Sequence, residues 1–154
     1  MCVLAFNVDE LTDFCVSRIQ EFSKSHGGET FYAFAIDASL LCLNSLERFQ
    51  ESLTEYQSRS PEYYTDGPSI EYIKSNTGDW AYQGFASMHR LTGWDEALYQ
   101  KHYDYAMGAT DEEAAKTSYG RAMAQVIRNL KEQDAFASLR RTVDFYAKQV
   151  EHSY

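Results

Sequence analysis

The chain has 154 residues, 44% of them hydrophobic and 24% charged, with only eight Gly and two Pro. That is the size of one globular domain, residues 1–154, and it excludes collagen-like, low-complexity and disordered classes. A formal net charge of −9 argues against direct nucleic-acid binding, whose footprint is clustered Lys and Arg, and no apolar run approaches the roughly 18 residues of a membrane span.

A domain of this length buries roughly 68–70% of its unfolded surface, so neither disulfides nor a structural metal are needed to hold it. The start, Met1-Cys2-Val3-Leu4-Ala5-Phe6, is short, lacks a basic flank and meets Asn7-Val8-Asp9-Glu10 at once. It reads as a mature N-terminus and not as a secretory leader. Cys2, Cys15 and Cys42 are odd in number and have no Cys-x-x-Cys spacing, which fits a reducing cytoplasm.

Asn7-Val8-Asp9-Glu10 has the form of a capping box, and Val8, Leu11, Cys15, Ile19 and Phe22 follow at helical steps until His26-Gly27-Gly28. Thr30–Ile36 is aromatic and apolar on both faces, which predicts a central strand; Asp37-Ala38-Ser39 then turns into a second strand, Leu40–Leu43. Asn44-Ser45-Leu46-Glu47 is a second capping pattern, and Leu46, Phe49, Leu53 and Tyr56 continue a helix to Ser60-Pro61. Pro61–Pro68 reads as the main surface loop. Ile70–Lys74 and Trp80–Phe85 are strand-like and are separated by turn residues, which predicts a second hairpin.

Thr92-Gly93-Trp94-Asp95 offers the cap of a third helix, running to Gly108. Thr110-Asp111-Glu112-Glu113 opens a fourth, with Ala115, Tyr119, Ala122, Val126 and Leu130 as its stripe and Gly120 weakening it by roughly 1 kcal/mol relative to Ala. Phe136, Leu139, Val143, Tyr146 and Val150 keep steps of three and four and predict a final amphipathic helix. The fold class expected is α+β, a small antiparallel sheet of about four strands covered by about five helices.

Charge is regional. Residues 1–59 carry nine acids and four bases, residues 60–115 ten acids and three bases, and residues 116–154 four acids and seven bases. The bland reading of this acidity is solubility; the functional one is faster encounter with a basic partner, including a protein built to hold phosphate or nucleic acid.

Catalytic signatures are missing. His26, His89, His102 and His152 form no pair at metal-ligand spacing, and no phosphate-binding, dinucleotide or nucleophile-elbow motif occurs. Cys15 and Cys42 fall on apolar stripes and read as inert core thiols, while Trp94-Asp95-Glu96 and His102-Tyr103-Asp104 read as solvated helix surface. The expectation is a protein that is not an enzyme and uses neither cofactor nor metal.

The remaining oddity is aromatic. Tyr63, Tyr64, Tyr72, Tyr82, Tyr99, Tyr103 and Tyr105 crowd the most acidic segment, and tyrosine joins a large contact area to a hydrogen-bonding tip. The competing reading places these rings between sheet and helix.

Three stretches carry a resemblance: Phe31-Tyr32-Ala33-Phe34-Ala35-Ile36-Asp37, Leu43-Asn44-Ser45-Leu46-Glu47, and Ser75-Asn76-Thr77-Gly78-Asp79-Trp80-Ala81-Tyr82-Gln83-Gly84-Phe85. Over residues 8–105 the chain resembles a family of small acidic bacterial proteins of undefined biochemical function, some of them immunity proteins paired with secreted antibacterial toxins. The resemblance supplies no catalytic residues and leaves the last two predicted helices outside it. It implies a cytoplasmic protein that neutralises a toxin by occlusion. On that expectation Glu62, Asp66, Glu71 and Asp79 face basic groups of the toxin, and Tyr63, Tyr64 and Trp80 act as anchors. A non-catalytic domain sensing a nucleotide or metabolite in a tyrosine-lined cleft is the alternative, and a hydrolase with carboxylates of unrecognised spacing is a third.

Overall fold

The first helix starts where Asn7 accepts the Glu10 amide at 3.1 Å, and α1 (Val8–Lys24) buries Leu11, Cys15, Ile19 and Phe22, the stripe expected from its periodicity. The computed structural model describes residues 5–150; Cys2, His152 and the apolar start Met1–Leu4 lie outside the described residues. β1 (Phe31–Asp37) is buried at every position, and β2 (Leu40–Ser45) pairs with it antiparallel across the Ala38-Ser39 turn. Ser45 caps α2 (Leu46–Arg59) by accepting the Arg48 amide at 3.1 Å, so the cap lies one residue beyond the Asn44 expected for it. Glu47 instead accepts the Thr30 amide at 2.7 Å.

The predicted strand Ile70–Lys74 is a helix, α3 (Gly67–Ser75). The supposed loop residues Asp66-Gly67-Pro68 are its start: Asp66 accepts the Ser69 amide at 2.9 Å and Pro68 sits in the first turn, where the missing N–H is harmless. A short 3₁₀ turn, Thr77–Asp79, leads into β3 (Tyr82–Ser87), which pairs with β2. There is accordingly no second hairpin. Gly84 sits in the irregular part of β3 at φ +73°, a left-handed conformation that glycine tolerates.

α4 (Glu96–Ala106) is capped by Asp95. The predicted fourth helix divides. α5 (Asp111–Ala114) carries the complete Thr110–Glu113 capping box, and α6 (Ser118–Glu132) begins on a fresh cap, Thr117. The final predicted helix is instead β4 (Arg141–Val150). The three-and-four spacing joins residues of two structures: Phe136 and Leu139 are buried in the connection after α6, whereas Val143 and Tyr146 are exposed on the strand. What decides the segment is a backbone demand from β1, which is fully buried and needs a strand on each edge.

The sheet order is β3-β2-β1-β4, and β4 runs parallel to β1. The sheet is therefore mixed and not antiparallel, within an α+β fold of four strands and six α-helices among the described residues. α1 and α6 cover one face, where Phe31, Phe34, Ile36, Leu41 and Leu43 meet Leu11, Ile19, Met123 and Leu130. The other face holds a smaller core of Tyr32, Ala33, Ala35, Cys42 and Trp80, with Phe49 of α2 and Val150 against it. Among the described residues no helix is long and apolar enough to cross a membrane.

Candidate functional site

The acidic, tyrosine-rich stretch forms the turn between α2 and α3 and the outer side of α3. Tyr64 takes φ +59°, its carbonyl accepts Gln57 Nε2 at 2.9 Å, and its ring lies 5.6 Å from that of Tyr56. Tyr64 thus folds back onto α2, half-buried. Tyr63, next to it, is 64% exposed, and so is Tyr72 on α3. Glu62 and Glu71 are exposed, and among the described residues the one side-chain hydrogen bond at either is that of Ser75 Oγ to the Glu71 backbone carbonyl at 2.8 Å.

The other acids of this stretch have structural partners. Asp66 caps α3, and the hydrogen bonds from Ser69 hold its carboxyl below the ordinary aspartate range. Asp79 accepts Tyr56 Oη at 2.9 Å and Asn76 Nδ2 at 2.8 Å, and the first of these bonds pushes the Tyr56 hydroxyl up. Trp80 is only 4% exposed, and its Nε1 donates to the Lys74 carbonyl at 2.8 Å. Of the seven residues expected to meet a partner, Glu62, Tyr63 and Glu71 are open surface, Asp66 is an exposed cap, Tyr64 and Asp79 are partly buried, and Trp80 is core. Tyr72 belongs with the open group. It is missing from the expected set because the strand reading of 70–74 obscured its position, and a helix phased on the buried Ile73 would have revealed it.

This face rests on a satisfied polar layer. The C-terminal carbonyls of α3, which lack partners within the helix, are met from the sheet. Tyr32 Oη donates to Lys74 O at 2.6 Å and Lys148 Nζ donates to Ser75 O at 3.2 Å. Asn44 Nδ2 donates to Tyr32 Oη at 2.9 Å while its Oδ1 accepts the Ala81 amide at 3.2 Å. Burial raises the Tyr32 hydroxyl well above the usual tyrosine range, and burial lowers the Lys148 ammonium against the opposing pull of Glu71. α3 is therefore fixed to the sheet at one end and presents its other side to solvent.

Several other polar groups are committed locally. Glu29 accepts Ser45 Oγ at 2.6 Å and Tyr82 Oη at 2.5 Å, with Arg48 beside it. Thr117 Oγ1 donates to Ala114 O at 3.0 Å and accepts the Gly120 amide, so the buried His102 must be the donor in their 2.6 Å contact, through Nδ1. Burial pushes the Cys15 thiol up to about 12 and the Cys42 thiol up to about 11. Among the described residues no three His, Cys, Asp or Glu converge as a metal site. An open groove of about 1040 Å³ runs along α2, with Leu46 and Phe49 as its apolar part and no tyrosine among its described lining.

A family model described as Domain of unknown function (DUF4303) matches residues 11–153. The chain belongs to this family. The match takes in α6 and β4, so membership extends over the elements that the resemblance left outside it. No curated protein and no solved structure matches the chain. In this DUF4303 chain, the exposed rings and carboxylates of the α2–α3 turn and α3 are groups suited to burial against another protein, offering apolar area, hydroxyl tips and negative charge side by side.

Proposed function

We propose that the protein is a cytoplasmic immunity protein that binds a secreted antibacterial toxin and occludes it, with residues 62–72 at the centre of the contact. The observation that carries this reading is the pair Tyr63 and Tyr72, each 64% exposed and each next in sequence to an exposed glutamate, Glu62 and Glu71. Exposed tyrosines of this kind are the side chains most often found at the energetic centre of interfaces, and the surrounding charge favours a partner with a basic surface or active site. The resemblance of residues 8–105 to a family of undefined biochemical function, some of whose members are immunity proteins, supplies the biological setting.

The test uses the product of a toxin-like reading frame beside the coding sequence, with binding read by calorimetry and protection by survival of toxin-exposed cells. Tyr63→Ala and Tyr72→Ala should each weaken binding by about thirtyfold, as expected of interface anchors. Glu62→Lys with Glu71→Lys should slow association and flatten its dependence on salt. All four substitutions sit on open surface and should leave thermal melting unchanged. Full binding and full protection by every variant would refute this surface. Asp66 and Asp79 are less suited to the test because their loss also disturbs α3 and its neighbouring turn.

A further inference from the structure

The sheet ends on β4, and among the described residues no strand pairs with its outer edge. Pairing to β1 is continuous from Tyr146 to Val150 and resumes only at Arg141, so residues 142–145 form an outward bulge. On that bulge Val143 is fully exposed, at 109% of its reference area, and Tyr146 beside it is 37% exposed. An aliphatic side chain projecting from a free strand edge is a liability that soluble proteins ordinarily cover or replace with charge.

Close by on the same strand lies a hollow of about 290 Å³ between β4 and the end of α6. Phe136, Phe145 and Ala147 give it an apolar floor, and Lys131 and Arg141 stand at its margin. A projecting valine and an apolar hollow on one edge are the two halves of a self-complementary contact, which is what a two-fold interface requires. Opposed residues of antiparallel strands share a face of the sheet, and this limits the register. A two-fold axis at Asp144 would oppose two carboxylates. An axis at Phe145 sets Val143 of one copy against Ala147 of the other, joins the two Phe145 rings, and brings Asp144 one diagonal step from the opposite Lys148. The charge does not oppose this, because Arg141, Asp144 and Lys148 leave β4 with a formal charge of +1 on a chain whose net charge is −9, so two copies repel less along this strand than across the acidic 60–115 stretch.

We propose that a second copy of the chain is the partner of this edge, the two β4 strands pairing antiparallel about Phe145 into one eight-stranded sheet. Sedimentation velocity of the full chain up to about 0.2 mM should show a species of twice the 17.7 kDa chain mass. Val143→Lys should return it to a monomer over the same range with unchanged far-ultraviolet circular dichroism. The double variant Asp144→Cys with Tyr146→Cys, whose positions face each other in this register, should form disulfide-linked dimers on mild oxidation, and Asp144→Cys alone should not. A wild-type protein that is monomeric throughout would overturn the proposal. So would a dimer that survives Val143→Lys, or a double variant that fails to cross-link.

Discussion

Replacing Gly120 with alanine separates helix propensity from packing. On propensity alone the change stabilises a helix by about 1 kcal/mol. Gly120, however, lies in the first turn of α6, where a Cβ would stand 2.6 Å from the Ala114 carbonyl oxygen, 2.7 Å from that of Ala115 and 2.8 Å from the Ala115 carbonyl carbon. These are backbone atoms, and ordinary contact begins at 3.4 Å, so the α5–α6 connection must retreat by more than half an ångström. It is poorly placed to do so. The Ala114 carbonyl accepts Thr117 Oγ1 at 3.0 Å, and that Thr117 hydroxyl oxygen in turn accepts the Gly120 amide at 3.0 Å and contacts His102 Nδ1 at 2.6 Å. Overpacking costs about 1–3 kcal/mol and a loosened N-cap about 1 kcal/mol. Set against the propensity gain, the net loss is about 2 kcal/mol, a fall in Tm of about 4–8 °C for a chain of this size. Thermal melting by circular dichroism reads it, with Gly108→Ala as the control because nothing lies within 4 Å of a Cβ there. A Gly120→Ala protein as stable as the wild type or more stable would refute the reasoning.

Trp80→Ala should cost about 3–5 kcal/mol, since the ring is buried in the core under α3 and its indole N–H serves the Lys74 carbonyl. An unchanged Tm with toxin binding lost would instead make Trp80 an anchor. Iodoacetamide at about pH 8.5 should leave Cys15 and Cys42 unmodified in the native protein and alkylate both in guanidinium, as read by peptide mass spectrometry. Asp66 has a folded-state pKa below its unfolded value, so its stabilisation is present above about pH 4 and is lost as pH falls through the depressed value. The difference in Tm between wild type and Asp66→Ala should therefore be largest near neutrality and shrink on acidification, and a difference that grows with acid would reverse the assignment.

The parts of the fold legible in the sequence are those where local chemistry and burial agree. Asn7 and Thr110 announce helix starts, and Thr30–Ile36 is apolar on both faces because β1 is covered on both. The segment 136–150 was illegible for a definite reason. Its spacing satisfies a helical template, while the requirement that makes it a strand belongs to β1, more than a hundred residues earlier. Gly120 was misread on the same ground, as a weak helix residue, because the carbonyls that exclude a side chain there come from the preceding turn.

At the candidate site the sequence places acids and tyrosines in one stretch, and α3 decides which of those on it reach solvent. Read as a strand, 70–74 would send Glu71 and Tyr72 to opposite faces, and only one of them could meet a partner. Read as a helix with Ile73 buried, both stand exposed on α3, as Glu62 and Tyr63 do in the turn that precedes it. The contacts that withdraw Asp79, Tyr64 and Trp80 from the surface reach Tyr56, Gln57 and Lys74, partners separated by up to 23 residues that no local spacing identifies. The proposed docking surface accordingly depends on Tyr63 and Tyr72 and not on the tyrosine count. If Tyr63→Ala and Tyr72→Ala bind the toxin normally while Tyr56 or Tyr64 variants do not, the exposed rings are incidental and the contact lies nearer α2.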